Sequence, residues 1–210
     1  MNKYSKIPTV YKRDPENNYK TLLEGQYATP EIEYLKDNIW EFTEKIDGTN
    51  VRVMWDLIEL KYGGRTDNSQ MPTFLYSKLQ ELFQLGRFQS LYPDTPMCLY
   101  GEGYGAKIQK GGGNYIPDGV SFILFDVKIG ESWLERIDVE DIAEKLLIKP
   151  VPIVGYGILD LAVNIARQKE KSWLSDNKIA EGLVMRPCTE LLDRRGHRII
   201  AKIKGKDFPE

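Results

Sequence analysis

Lysines and carboxylates set beside glycines are the residues of this 210-residue chain best placed to do chemistry. In "EFTEKIDGTN", residues 41–50, Lys45 stands just before Asp47-Gly48, between the alternating runs "EFTEKI" and "NVRVMW". Asp-Gly between two such runs is a hairpin signal, because the turn needs positive φ and glycine accepts it. Taken alone, the tetrapeptide reads as a surface turn. In "RIIAKIKGK", residues 198–206, a strand period of two puts Ile199, Ala201 and Ile203 on a core face and Lys202 and Lys204 together on the other, about 7 Å apart. That spacing suits two cations on one polyphosphate, and equally a solvated edge strand guarded by lysines. Residues 194–206 hold six Lys or Arg and no acid, in a chain whose net charge is -2.

Two carboxylates recur in similar settings. "LYGEGYG" (99–105) sets Glu102 among glycines, and "EGLVMRP" (181–187) sets Glu181 before a glycine and a strand. Each alone is an ordinary strand-end carboxylate. "SFILFDV" (121–127) supplies Phe122 and Phe125. Such aromatics usually fill a core, but Phe122 also suits the floor of a base-binding slot, since an aromatic face stacks on any nucleobase. "GGRTDN" (63–68) puts Arg65 in a flexible turn, where a surface arginine is the simplest reading. "QKGGGN" (109–114) lacks the Lys-Ser or Lys-Thr ending of a phosphate loop and is not read as one.

Composition narrows the chemistry further. The single histidine, His197, excludes a His-rich zinc site and a pair of catalytic imidazoles, and Cys98 and Cys188 make no metal-knuckle spacing. Any metal must therefore sit on oxygen ligands, which points to Mg²⁺. Widely spaced thiols, the absence of a secretory apolar core and the lack of any apolar run near the roughly 18 residues of a membrane span predict a cytoplasmic protein without a membrane partner. A pI near 5.7 argues against a generally basic coat and leaves room for a local patch.

The elements that must position these residues follow from periodicity. Alternation predicts strands over 41–46, 51–56, 97–103, 120–128, 181–186 and 198–204. Helical spacing groups Leu75, Leu79, Leu82 and Phe83 after Pro72. It also groups Val139, Ile142, Ala143, Leu146 and Leu147 after Asp138, read as an N-cap, and finally Ile158, Leu161, Ala162 and Ile165. Strands outnumber helices and are hairpin-compatible, so the fold class is α+β with antiparallel sheets. Residues 1–40 show little periodicity and are expected to wrap an edge of the domain.

Taken in order, Lys-x-Asp-Gly, Gly-Glu-Gly, Phe-x-x-Phe-Asp, Glu-Gly-x-Val-x-Arg and Lys-x-Lys resemble the motif series of the covalent nucleotidyltransferases, the superfamily of ATP-dependent ligases and capping enzymes. The stretches "EKIDGTN", "GEGYGAKIQK", "SFILFDV", "EGLVMRPC" and "IAKIKGKDF" look most like the ATP-dependent RNA ligases typified by the second, nick-sealing ligase of T-even bacteriophage. The resemblance runs from about Tyr34 to Phe208.

The resemblance implies a ligase-type, ATP-grasp-like domain in which antiparallel sheets flanked by helices form a nucleotide-binding cleft. Residues 1–210 would be one adenylation domain without a separate C-terminal or oligonucleotide-binding domain; larger relatives append one, whereas this sequence ends six residues after Lys204. Lys45 would be the nucleophile that takes AMP from ATP, aimed into the cleft by the turn after it. Glu44 and Asn50 would help seat the nucleotide, and Arg65 would hold the nucleotide or the nucleic-acid end. Glu102 would accept from ribose hydroxyls, and Phe122 would stack on adenine. Glu181 would organise Mg²⁺ and phosphate, and Lys202 and Lys204 would bind the α-phosphate. The implied substrate is RNA with 5′-phosphate and 3′-hydroxyl ends, in an RNA-repair reaction carried out by a monomer.

Every step of such a reaction attacks phosphorus, so positioning and cations matter more than acid and base groups, and the lack of histidines is no handicap. Two alternatives remain: a DNA ligase or GTP-using capping enzyme, and a nucleic-acid-binding module without catalysis. Retention of Lys45, Glu102, Glu181, Lys202 and Lys204 together argues against the second.

Overall fold

The computed structural model describes residues 3–208. In chain order the elements begin with strands β1 (Tyr11–Arg13) and β2 (Leu22–Tyr27), helix α1 (Pro30–Tyr34), and strands β3 (Trp40–Glu44), β4 (Thr49–Trp55) and β5 (Leu60–Gly63). Helices α2 (Thr73–Leu82) and α3 (Leu85–Leu91) precede β6 (Met97–Gly105), β7 (Val120–Ile129), β8 (Ser132–Trp133), helix α4 (Arg136–Leu146) and β9 (Lys149–Pro150). The remainder is β10 (Ile153–Gly157), helix α5 (Leu159–Gln168), β11 (Lys171–Ser172), β12 (Ser175–Ile179), β13 (Gly182–Pro187) and β14 (Ala201–Lys204).

These elements form two compact units interleaved in sequence. The middle unit comprises Asp47–Val151 with Tyr4, and the flanking unit comprises Ser5–Ile46 and the chain from Pro152 onward. Each has its own sheet and its own core. The middle unit's sheet runs β5-β4-β6-β7-β8, antiparallel throughout, with β9 added parallel to β7. Val51, Val53 and Trp55 of β4 and Met97 and Leu99 of β6 turn to one face, where Leu75 and Leu79 of α2 and Val139, Ile142, Ala143 and Leu146 of α4 cover them. Burying each such aliphatic side chain contributes about 1.5–3 kcal/mol. The flanking unit's sheet runs β10-β3-β13-β14, also antiparallel, and its core packs Trp40, Phe42, Leu183, Met185, Ala201 and Ile203 against Leu159, Ala162, Val163 and Ala166 of α5. The fold class read from periodicity, α+β with antiparallel sheets, is thus the one observed.

Several local expectations change. Asp47-Gly48 closes no hairpin: β3 enters one sheet and β4 the other, and neither residue has positive φ. Glycine is needed at 48 for close approach instead, since a Cβ there would meet the Gly103 carbonyl oxygen at 2.3 Å and Cγ of Glu102 at 2.8 Å. Helix α4 begins before Asp138, with Glu135 as its N-cap residue, so Asp138 lies in the first turn, where its charge favours the helix dipole. Leu147 is the exposed left-handed C-cap rather than a core position. In α5 the buried face is Leu159, Ala162, Val163 and Ala166; Ile158 and Leu161 are exposed.

Residues from Ser5 to Asp37 contain more order than their sequence suggested, including the β1-β2 ribbon and a helix capped by Thr29, whose Oγ1 accepts from the Ile32 N–H at 3.3 Å. They also cover an edge. Lys202 N–H donates to Pro8 O at 2.9 Å and Val10 N–H donates to Lys202 O at 3.0 Å, so residues 8–10 lie along β14. The strand carrying the paired lysines is therefore covered, which removes the reading of those lysines as guards of an open edge.

Candidate active site

Strand β13 is the organiser of the flanking unit's polar cluster. Its register sets Leu183 opposite Glu44 of β3 on one side, and Gly182 and Val184 opposite Lys204 and Lys202 of β14 on the other. Lys45 continues the first ladder, its N–H donating to Gly182 O at 2.9 Å, so its side chain arrives beside Glu181. Lys45 Nζ donates to Glu181 Oε2 at 2.5 Å, and Lys204 Nζ donates to Glu181 Oε1. One carboxylate thus holds two ammonium groups, all three side chains being 15–22% exposed. Ala201 and Ile203 are fully buried while Lys202 and Lys204 share the other face, as the two-residue period requires.

The electrostatics follow from this crowding. Burial pushes the Glu181 carboxyl up, but the Lys45 charge and hydrogen bonds from Lys204 and Lys45 outweigh it and leave the group below its usual range. Lys202 has no carboxylate of its own within ion-pair distance among the described residues. Burial first, then the charges of Lys45 and Lys204, lower its pKa from 10.5 to about 8. The cluster is a site of concentrated positive potential tied together by a single acid, a fitting receptor for phosphate oxygens.

Glu44 faces elsewhere. It is almost fully buried; its Oε1 accepts from Ser172 Oγ at 2.6 Å and its Oε2 from the Trp173 N–H at 2.8 Å. Burial raises its pKa, and these two bonds offset part of the rise. Its visible work is to clamp the β11-β12 turn, on which the Trp173 ring stands 64% exposed. Neither Ser172 nor Trp173 was marked by any local pattern in "KSWLS".

In the middle unit, Asn50 of β4 pairs with Glu102 of β6, which pairs with Ile123 of β7. Directly opposed residues share a face, so Asn50, Glu102 and Ile123 form one row. Asn50 Oδ1 is buried without a hydrogen-bond partner in the protein. Such an orphan acceptor is costly unless something else fills it. Behind the row, Gly48 O accepts from Gln109 Nε2 at 3.0 Å and the Asp47 N–H donates to the Tyr115 hydroxyl at 3.3 Å. The stretch 109–115 thus braces the segment after Lys45.

Phe122 is not part of that row. It pairs with Gly103, on the helix-covered face, is 2% exposed, and packs edge-on against Phe83 with ring centroids 5.1 Å apart. Its ring lies so close over Gly101 that a Cβ there would meet it at 2.1 Å. The ring thus packs on the helix-covered face, and Ile123, itself fully buried, is the β7 side chain in register with Glu102.

Arg65 is exposed in the turn after β5. That turn is held by Arg52, two residues beyond Asn50 on the same face of β4, whose Nε donates to Gly64 O and whose Nη2 donates to Asp67 Oδ1, both at 2.7 Å. Arg52 is 1% exposed, and its Nη1 is buried without a partner. Its parity with Asn50 in "NVRVMW" was the sequence signal for it.

No group of three or more His, Cys, Asp or Glu side chains able to hold a metal occurs among the described residues. Glu181 is the one acid within the lysine cluster among the described residues, and its two oxygens are engaged with Lys45 and Lys204.

The profile of the RNA ligase family matches residues 38–204. No curated protein matches the chain. Among solved structures, a Naegleria gruberi RNA ligase mutant with ATP and Mn superimposes with a TM-score of 0.69 at 20% identity, over 97% of this chain and 56% of that one. A mutant of the same enzyme with AMP and Mn gives 0.65 at 19% identity, over 94% and 56%. An apo mutant gives 0.67 at 19%, over 95% and 56%. This chain therefore spans little more than half the length of the structures whose fold it shares.

Proposed function

The chain belongs to the RNA ligase family, and from that premise we propose that it is an ATP-dependent RNA ligase working through a lysyl-AMP intermediate on Lys45. The observation that carries this reading is the Glu181 carboxylate bridging Lys45 and Lys204 with Lys202 alongside. Lys45 Nζ attacks the α-phosphorus of ATP, the N–P bond forms and pyrophosphate leaves. An oxygen of an RNA 5′-phosphate then attacks the same phosphorus, freeing the lysine. Finally a 3′-hydroxyl attacks the 5′-phosphate, giving a phosphodiester and releasing AMP.

A nucleophilic lysine needs a partner that holds its orientation. Glu181 holds the ammonium at hydrogen-bond distance. Lys202 and Lys204 would neutralise charge on the α-phosphate. Mg²⁺, held through Glu181, would supply Lewis-acid charge on the phosphates. Asn50, with its orphan carbonyl oxygen, and Glu102 would take the nucleoside; Arg65 would take the nucleotide or the RNA end. The ATP, AMP and Mn in the Naegleria gruberi structures support nucleotide and divalent-metal use. The finer likeness to the phage nick-sealing type, action as a single adenylation domain and monomer, and a cytoplasmic setting complete the proposal; no helix among the described residues is long and apolar enough to cross a membrane.

The test is incubation with α-labelled ATP or GTP and Mg²⁺ followed by a denaturing gel, then chase of the adduct onto 5′-phosphorylated RNA or DNA. Label from ATP that transfers to RNA is expected. Label from GTP alone would assign a capping enzyme, transfer to DNA alone a DNA ligase, and no label at all a binding module.

A further inference from the structure

The flanking unit carries an open groove of about 850 Å³ that extends beyond the lysine cluster toward the N-terminal segment. Six cations line it, Lys6, Lys12, Arg13, Lys202, Lys204 and Lys206, and no acidic residue does. The N-terminal segment builds this wall: because residues 8–10 are hydrogen-bonded along β14, Lys6 and Lys12 come to lie beside the two phosphate lysines. Among the described residues, Lys6, Lys12, Lys202 and Lys206 form no ion pair. Arg13 is differently engaged, with Nη2 donating to Asp207 Oδ1 at 2.8 Å and Nη1 to the Tyr19 carbonyl at 3.3 Å. That second bond fixes the backbone of Tyr19, whose ring lines the groove while remaining 63% exposed.

We propose that this groove docks single-stranded RNA, its phosphates running along the lysines and a base stacked on Tyr19. A cationic track with an aromatic platform is the combination that binds single strands without reading sequence. The charge is in excess of what a mononucleotide needs: two or three cations suit one polyphosphate, whereas a track reaching from Lys204 and Lys202 out to Lys6 and Lys12 suits successive phosphates of a strand. The groove includes the same two lysines that would meet the α-phosphate, so a strand lying in it has its end beside the adenylation cluster. That the strand is RNA rests on the ligase reading; that it is a single-stranded polyanion rests on the groove alone.

The experiment titrates the full chain with a short fluorescent 5′-phosphorylated RNA over a range of KCl, comparing the parent with Lys6→Ala/Lys12→Ala/Lys206→Ala and with Tyr19→Ala. Each phosphate no longer neutralised by a lysine lowers the slope of log Kobs against log salt by about 0.7 for a single strand, so the triple variant is expected to flatten the slope by about 2. Tyr19→Ala is expected to weaken binding roughly ten-fold at constant slope. Lysyl-AMP formation from ATP, measured on the same proteins, is expected to match the parent, which also shows that the variants are folded. An unchanged slope in the triple variant overturns the proposal. A raised KM for ATP with RNA binding intact also overturns it, by giving the groove to the nucleotide's polyphosphate. A parent that forms no lysyl-AMP defeats the ligase reading instead, and the salt slope still decides the groove.

Discussion

Lys45 Nζ lies 2.5 Å from Oε2 of Glu181, and this ion pair ties the end of β3 to the start of β13, its neighbour in the flanking sheet. Because the other oxygen of Glu181 takes Lys204, the carboxylate is the charge that opposes repulsion between the ammonium groups. Glu181→Gln keeps the shape and removes that charge. The variant is expected to lose about 1.5–3 kcal/mol of stability, the worth of hydrogen bonds to charged groups, seen as a lower urea midpoint. Its lysyl-AMP formation is expected to drop at least about a hundred-fold, read as single-turnover label on the protein. Wild-type rates in this variant would remove Glu181 from the chemistry.

Lys202 is expected to make lysyl-AMP formation sensitive to pH on the alkaline side. Its folded-state pKa, about 8, is below the ordinary 10.5, so its ammonium is lost as pH rises through about 8. The kcat/KM for lysyl-AMP formation, which reports the free enzyme, is expected to fall above about pH 8 as Lys202 loses its charge. Lys202→Arg, whose guanidinium keeps its charge, should move the falling limb upward; an unmoved limb assigns it to another group. The stability sign is the opposite one. A depressed lysine contributes stability that is fully present above about 10.5 and lost as pH falls through about 8. Between those values the parent should gain stability with pH relative to Lys202→Met, measured by urea unfolding.

What the sequence made legible was local. The parity of Lys202 and Lys204 against Ala201 and Ile203 follows from the pleat alone, and the strand cores at 41–44, 51–55, 97–103 and 120–128 follow from alternation. What it hid was nonlocal. That β13 stands between β3 and β14, and so brings Glu181 to both Lys45 and Lys204, is a matter of sheet order. The Asp-Gly signal at 47–48 misled because turn chemistry does not know which sheet the next strand will join. The order of Ser5 to Asp37 depends on partners such as Lys202 nearly two hundred residues away. The pleat sets Phe122 and Ile123 on opposite faces, but only packing against Phe83 decides which face is core, and a register shift between Tyr100 and Gly101 breaks the parity toward Phe125.

Phe122 is accordingly expected to behave as a core residue. Truncating a buried phenylalanine costs about 3–5 kcal/mol, and here the ring also fills the space over Gly101. Phe122→Ala should lower unfolding stability by that amount, measured in denaturant, while Phe122→Leu, which keeps most of the volume and loses the flat face, should retain ATP affinity within about two-fold. A base-stacking residue would show the reverse for the leucine variant, losing on the order of 1–3 kcal/mol of nucleotide binding with little change in stability.

Arg52 is expected to act through Arg65. Its guanidinium spans the turn by bonding Gly64 O and Asp67 Oδ1, and Arg65 lies between those two points. The pair with Asp67 contributes little as a surface charge, since Asp67 is 77% exposed and screened; the forked geometry is what fixes the turn, and lysine cannot reproduce it. Arg52→Lys should therefore loosen the turn with a modest loss of global stability and reduce lysyl-AMP formation or RNA sealing in the same step that Arg65→Ala reduces. The double variant decides the matter. If Arg52 only positions Arg65, Arg52→Lys adds nothing once Arg65 is alanine, and the coupling energy equals the single Arg52→Lys effect. If the two losses add, Arg52 works independently of the turn, and its unpartnered Nη1 becomes the atom to explain.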